Sequence, residues 1–243
     1  MKKRLGLACL VLAWLAVASP ALAAPAAIFT ARSTGQRDFV DPIVSPGQRS
    51  AHEHCFYGAV GVETVETSAS LRAKPTTWAN QNNHTAIWIP CVYEDGRLLG
   101  PYSAKHLLAY YKSIPGTECV PPEDTKGVTH EYGYRGQTGG GAFGPLPPAS
   151  TSQGVLVVDL IFRGARDLGV ACFPTVEVFI RLNVGSGPIG NITIGGPVAG
   201  VDGATGPETM HGDYFFGWDR AAFQRFLDQC VIPGVACGTD PAT

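Results

Sequence analysis

Charge is scarce in this sequence, and neither sign has a surplus. Charged residues make up 16% of the 243-residue chain, with 18 Lys and Arg against 20 Asp and Glu and a formal net charge of −2. Without a basic excess to displace counterions from a phosphate backbone, a nucleic-acid partner is excluded. Long hydrophobic runs are missing as well. Leu5 to Val17 is the one extended apolar stretch, and it is too short for a comfortable membrane span. No C-x-x-C pair is present, which argues against a zinc ribbon. No G-x-S-x-G elbow is present either, which sets serine-triad chemistry aside. The chain also lacks a helix-friendly composition: its 30 Gly and 19 Pro break helices, so coiled coils and helical repeats are excluded. What remains is 45% hydrophobic, enough for a real core.

The beginning of the chain reads as a secretory leader. Lys2, Lys3 and Arg4 precede the apolar run, and Ala21-Leu22-Ala23 is a small-x-small cleavage signal. The expected division is a signal peptide over 1–23 and a single secreted β-rich domain over 24–243, with no membrane contact after the leader is removed. Cysteine usage agrees. Beyond Cys9, six remain (Cys55, Cys91, Cys119, Cys172, Cys230 and Cys237), an even number that suits three disulfides in an oxidising compartment. Fifteen connectivities are open. The turn Val231 to Ala236 favours Cys230–Cys237, and Cys119–Cys172 is the next choice.

Strand signals dominate. In Thr175 to Val184 the residues Val176, Val178, Ile180, Leu182 and Val184 alternate with Glu177, Phe179, Arg181 and Asn183. Strands are also expected in His84 to Tyr93, Leu107 to Lys112, Val155 to Phe162 and Asn191 to Ile194. One segment has helical spacing instead. Ala222, Phe223, Phe226, Leu227 and Cys230 form an apolar face after the N-cap candidate Asp219, and Pro233-Gly234 stops the run. Residues 133–154 and 185–210 are Gly-rich and irregular, as long functional loops are. The fold class that follows is mainly β: a β-sandwich, jelly-roll-like, with long Gly-rich loops and one C-terminal helix.

Several motifs bear on chemistry. G-S-G-P-I-G at 185–190 has the spacing of a dinucleotide fingerprint, but Pro188 and the strand-like Asn-Ile-Thr-Ile that follows make it a turn. Asn83-His84-Thr85 and Asn191-Ile192-Thr193 match the N-glycosylation pattern. His52-Glu53-His54 is more specific. In extended backbone the two imidazoles point the same way and Glu53 points the other, which suits Glu53 to a structural role. His211-Gly212-Asp213 repeats the spacing with a carboxylate. His52, His54, His211 and Asp213 together would make a ligand set for one divalent metal ion such as zinc, manganese or iron, or a metal-free acid–base group. The alternative is that these histidines simply fasten loops.

Asp41-Pro42-Ile43-Val44-Ser45-Pro46-Gly47, followed by Ser50-Ala51-His52-Glu53-His54 and Gly58, resembles the opening of a secreted family known only as domain of unknown function nineteen-ninety-six. Ile87-Trp88-Ile89-Pro90 with Tyr93 and Gly96, the pair Tyr110-Tyr111, and Met210-His211-Gly212-Asp213 with Gly217-Trp218-Asp219 resemble its later segments. The likeness spans about residues 38–235. It departs in the middle, where Asp159-Leu160-Ile161-Phe162 and Cys172-Phe173-Pro174 stand in place of the family's Cys-Trp-Asp-Gly and D-H-x-S-H stretches. The resemblance implies export, and sometimes the company of carbohydrate-binding modules. It implies no reaction.

Two functions follow as expectations. The first is a secreted or cell-envelope enzyme acting on a polysaccharide or cell-wall polymer, with His52, His54, His211 and Asp213 as the catalytic and metal-holding residues. The aromatic residues Tyr57, Trp88, Tyr110 and Tyr111, with Phe215, Phe216 and Trp218 nearby, would line a glycan-stacking groove; core packing is the plainer role for such rings. The second is a non-catalytic carbohydrate-binding protein of the envelope.

Overall fold

A computed structural model describes residues 25–112, 118–135, 154–185 and 189–243. The expected leader, most of the 133–154 stretch and the middle of G-S-G-P-I-G lie outside the described residues. Among those described the chain is mainly β. In order the strands are β1 Pro25–Ala31, β2 Ser33–Asp38, β3 His54–Gly58, β4 Ala86–Pro90, β5 Val92–Glu94, β6 Arg97–Leu98, β7 Leu107–Lys112, β8 Lys126–Thr129, β9 Tyr132–Arg135, β10 Val155–Phe162, β11 Thr175–Asn183, β12 Ile192–Ile194 and β13 Gly212–Phe215. Three helices accompany them: α1 Ser68–Arg72, α2 Gly164–Asp167 and α3 Arg220–Phe226.

The strands form two five-stranded antiparallel sheets, ordered β1-β7-β11-β10-β9 and β2-β3-β4-β13-β8, and a small third sheet, β12-β5-β6. The chain passes from one large sheet to the other several times, the jelly-roll-like feature of the sandwich. Alternation explains the packing. From the first sheet Phe29, Tyr111, Val158, Val178 and Ile180 turn inward; from the second, Tyr57, Ile87, Ile89 and Tyr214 meet them in one buried cluster. The five residues expected on one face, Val176, Val178, Ile180 and Leu182 of β11 and Val184 just after it, are all buried. On the opposite face, Glu177 pairs with Lys112 at 2.6 Å and Arg135 pairs with Asp159.

The second sheet is buried on its other face too. Val40, Phe56, Val62, Leu71, Ala86, Trp88 and Phe215 make a separate apolar cluster there, because the segment between β2 and β4 folds back over it. Leu71 of α1 belongs to this cover. The helix starts at a capping box in which Thr67 and Ser70 exchange side-chain and backbone bonds.

The expected C-terminal helix is present. Asp219 caps α3 by accepting from the Ala222 N–H at 2.8 Å, and Ala222, Phe223 and Phe226 are buried. The run continues as a π-helical turn over Leu227–Val231 and stops before Pro233. Helices α1 and α2 are too short to leave a periodic signal. The disulfides are Cys55–Cys91, Cys119–Cys172 and Cys230–Cys237, which include both favoured pairs. Three disulfides fit an extracellular protein. No helix among the described residues is long and apolar enough to cross a membrane. Asn83 is wholly buried, with its side-chain oxygen accepting from the Thr85 N–H, so it offers no glycan acceptor; Asn191 is exposed.

Candidate functional site

Register brings the two histidine motifs together. Strand β4 lies between β3 and β13, with His54 opposite Pro90, Phe56 opposite Trp88, and Trp88 opposite Asp213. Paired and alternate positions share a face. His54, Phe56, Trp88 and Asp213 therefore line the outer side of the second sheet, and His211, two residues before Asp213, extends the row. His52 lies in a bend just ahead of β3, with its ring centroid 4.6 Å from that of His54. The ligand atoms of His52, His54 and His211 all lie within 4.8 Å of one another.

Hydrogen bonds set the tautomers. His54 Nδ1 is 3.0 Å from the Val40 carbonyl, and His211 Nδ1 is 3.1 Å from the Thr209 carbonyl. A carbonyl only accepts, so each Nδ1 carries the proton and each Nε2 presents a lone pair. The two Nε2 atoms of His52 and His211 stand 3.3 Å apart. His54 Nε2 is buried with no hydrogen-bond partner, and so are both carboxylate oxygens of Asp213 and the indole nitrogen of Trp88. Asp213 Oδ2 is 3.8 Å from His211 Nε2.

Burial dominates the electrostatics. It lowers the pKa of His52, which Asp41 partly offsets. It lowers that of His54 much further, helped by the neighbouring His52 and His211. His211 is pushed down to about 4 by burial, against the pull of the Thr209 carbonyl. Burial, then the charge of Asp41, raises Asp213 well above the ordinary carboxylate range. At neutral pH the three imidazoles are thus neutral; His54 and His211 present Nε2 lone pairs, and the contact between the His52 and His211 Nε2 atoms is a hydrogen bond in the tautomer that puts the His52 proton on Nε2.

Asp41 is a participant that residue-type reasoning missed. Its Oδ1 accepts from the N–H groups of Ile43 and Val44, which fixes the Asp-Pro-Ile-Val turn. That turn positions the Val40 carbonyl against His54. The only signal for it was the position of Asp41 at the head of the D-P-I-V stretch. His130 was also missed. It is exposed, and its ring centroid is 5.9 Å from that of His211.

Glycines seat the cluster. Gly195 has φ +75°, and a Cβ there would stand 2.7 Å from the Cβ of His52. Its carbonyl accepts from the Glu53 N–H at 2.9 Å. Between His211 and Asp213, a Cβ on Gly212 would meet a Leu160 methyl at 2.5 Å, so a larger residue there would force the buried Leu160 side chain to shift. Gly195→Ala should therefore add backbone strain of about 1–3 kcal/mol and push His52 away from His211. Gly200→Ala is the control, because φ is +81° there but the added methyl meets open space. Chemical denaturation should find both variants destabilised. A metal titration should find weakened binding only in Gly195→Ala.

The proposed aromatic groove is not formed. Tyr57, Trp88 and Tyr111 are 4%, 0% and 0% exposed. Tyr111 is bonded to Tyr214 and Trp218 inside the sandwich, and Trp88 lies beneath the outer cluster with Phe56. Phe215, Phe216 and Trp218 are interior as well. Tyr110 is half-buried against Phe179 on the other large sheet, remote from β3 in strand order. Both faces of the second sheet are covered, so alternation placed no ring in solvent. Glu53 turns away from the histidines, as expected, and binds Tyr93 and Arg37.

A two-sheet sandwich carrying three convergent neutral imidazoles over a buried carboxylate is the class that this geometry defines. Residues 41–132 match the family described as Domain of unknown function (DUF1996). The matched segment contains the Asp41 turn, His52, His54 and His130; His211 and Asp213 follow it. No curated protein and no solved structure matches the chain.

Proposed function

We propose that the chain is an exported metal-dependent hydrolase acting on a polysaccharide or cell-wall polymer. His52, His54 and His211 would hold one divalent ion, and Asp213 would supply the fourth protein ligand or orient a bound water. One observation carries this reading. His54 Nε2 and both Asp213 oxygens are buried without partners, at the spot where two further imidazole nitrogens converge. Buried polar atoms left unpaired each cost about 1–3 kcal/mol. A cation held by the three imidazoles would satisfy His54 Nε2, and Asp213, outside that group but with Oδ2 3.8 Å from His211 Nε2, would turn toward it or toward its bound water. The cation would also offset the burial that disfavours the Asp213 carboxylate.

The second shell supports the same reading. Metal-binding histidines commonly give their other ring N–H to a backbone carbonyl, as His54 gives to Val40 and His211 to Thr209. Two ligands about 2.0–2.1 Å from a tetrahedral ion sit about 3.3 Å apart, the separation found between His52 and His211 Nε2. Imidazole donors in this geometry favour zinc. His52 and His211 are only partly covered, which leaves an open side for water and substrate. A bound divalent ion supplies Lewis acidity and an acidic water. The protein then holds three neutral donors still, keeps Asp213 beneath them, and leaves His130 at the rim. Export is supported by the leader-like start and by the three disulfides.

The test is digestion of a panel of neutral and acidic polysaccharides with metal-loaded protein, chelated protein and metal-loaded Asp213→Asn. Products from the loaded wild type alone are expected. Absence of products throughout, or products unaffected by chelation, would sink the proposal.

A further inference from the structure

The segment that carries His52 and His54 has a cavity on its other side. It has a volume of about 390 Å³, in the range of small-ligand sites. Its polar floor is Glu53 with Tyr93 and Arg37. The Tyr93 hydroxyl donates to Glu53 Oε2, and Arg37 Nε donates to Oε1 at 2.8 Å. Each carboxylate oxygen therefore keeps one lone pair for another donor. The apolar walls include Phe39 and the half-exposed Val201. Outside the lining, Arg49 lies 3.6 Å over the Phe39 ring and 3.6 Å from Asp202, which links the 196–202 loop to Phe39.

That loop joins the cavity to the histidine cluster. The glycines that flank it, Gly195 and Gly203, press against His52 and Ala51, while Gly196, Val201 and Asp202 face the cavity. His52 and Glu53 are chain neighbours, one in each site.

We infer that this cavity is a subsite for one neutral sugar unit of a glycan chain. The inference deepens the proposed function and rests on it for the link to cleavage. A sugar ring offers an apolar C–H face and a rim of hydroxyls. Phe39 and Val201 match the first; the Glu53 carboxylate and the Arg37 guanidinium match the second. Two carboxylates, Glu53 and Asp202, line the cavity against the single cation Arg37, so it has no positive excess to attract an acidic sugar. The glycan contact expected of Tyr57, Trp88, Tyr110 and Tyr111 would thus fall to a different aromatic residue behind the same strand.

The test is calorimetric titration of the metal-loaded mature chain with gluco-, xylo-, manno- and chito-oligosaccharides, and with oligogalacturonate as the acidic arm. Saturable binding of a neutral oligosaccharide is expected, weakened about tenfold to a hundredfold in Arg37→Ala and Phe39→Ala. Metal content and unfolding midpoint in those variants are measured alongside and should stay near wild type. His54→Ala should lose metal and keep sugar binding, so a failure of the metal reading is seen separately. No neutral binding, binding that ignores both cavity variants, or binding of oligogalacturonate alone would overturn the inference.

Discussion

A protein carrying His54→Ala is expected to fold and to hold no divalent ion. The His54 ring is fully buried, and its Nδ1–H is its one hydrogen bond. Removing it forfeits that bond and some packing against Phe56, a cost of about 1–3 kcal/mol. It also deletes an unpartnered nitrogen, so the fold should tolerate the change. The effect on metal should be far larger. Losing even an outer-shell partner commonly costs about 10–100-fold in affinity, and His54 would be a direct ligand. The two effects separate in one experiment. A thousandfold excess of ion over its Kd should stabilise the wild type by about 4 kcal/mol and His54→Ala by nothing measurable. Asp213→Asn should fold as well and, with its three imidazole donors intact, still load the ion, with a smaller stabilisation than the wild type gains. Burial already raises the Asp213 pKa and disfavours the charged carboxylate, so a neutral amide there should leave the apo fold intact. Elemental analysis and thermal unfolding with and without ion check both variants. If His54 only fastens the Val40 loop, stability falls while wild type and variant respond identically to metal.

The second large effect is expected from Cys55→Ser with Cys91→Ser. This disulfide ties β3 to the end of β4 directly beside His54 and closes a separation of 36 residues. Chain-entropy arguments give about 4 kcal/mol for such a loop. Cys230–Cys237 closes only 7 residues, so its removal should cost less, about 2–3 kcal/mol. Denaturant unfolding of the two double variants should rank them in that order. The Cys55–Cys91 variant should also bind metal more weakly, because Cys91 anchors both sides of the His52 bend. Its N–H donates to the Glu53 carbonyl, and its carbonyl accepts from the Gly195 N–H. Equal costs, or the reverse order, would show that loop length does not govern these bonds.

Local pattern explains which elements were legible. Strands β7 and β10 match their expected limits, and β11 differs at one end by a residue, because long β-branched runs with period two leave little choice of face or state. Strands such as β2, β8 and β9 are short, polar or glycine-bearing. Their pairing partners, not their own composition, make them strands. The histidine motifs were readable as residue types at the right spacing. Their meeting was not, since His52 and His211 are 159 positions apart and join only because β3 and β13 both flank β4. The Val40 and Thr209 carbonyls that fix the ring protons leave no trace in side-chain identity. The aromatic groove failed for a related reason. Alternation says that a ring leaves the main core, but not that residues 40–71 fold over the outer face and cover Trp88.

The most direct measurement is anomalous diffraction at the zinc edge from crystals of the protein grown with zinc. The account predicts one peak about 2.0–2.1 Å from the Nε2 atoms of His52, His54 and His211, with Asp213 turned toward it. Crystals saturated with the ion that show no density there, and the His52 and His211 rings still paired to each other, would contradict it.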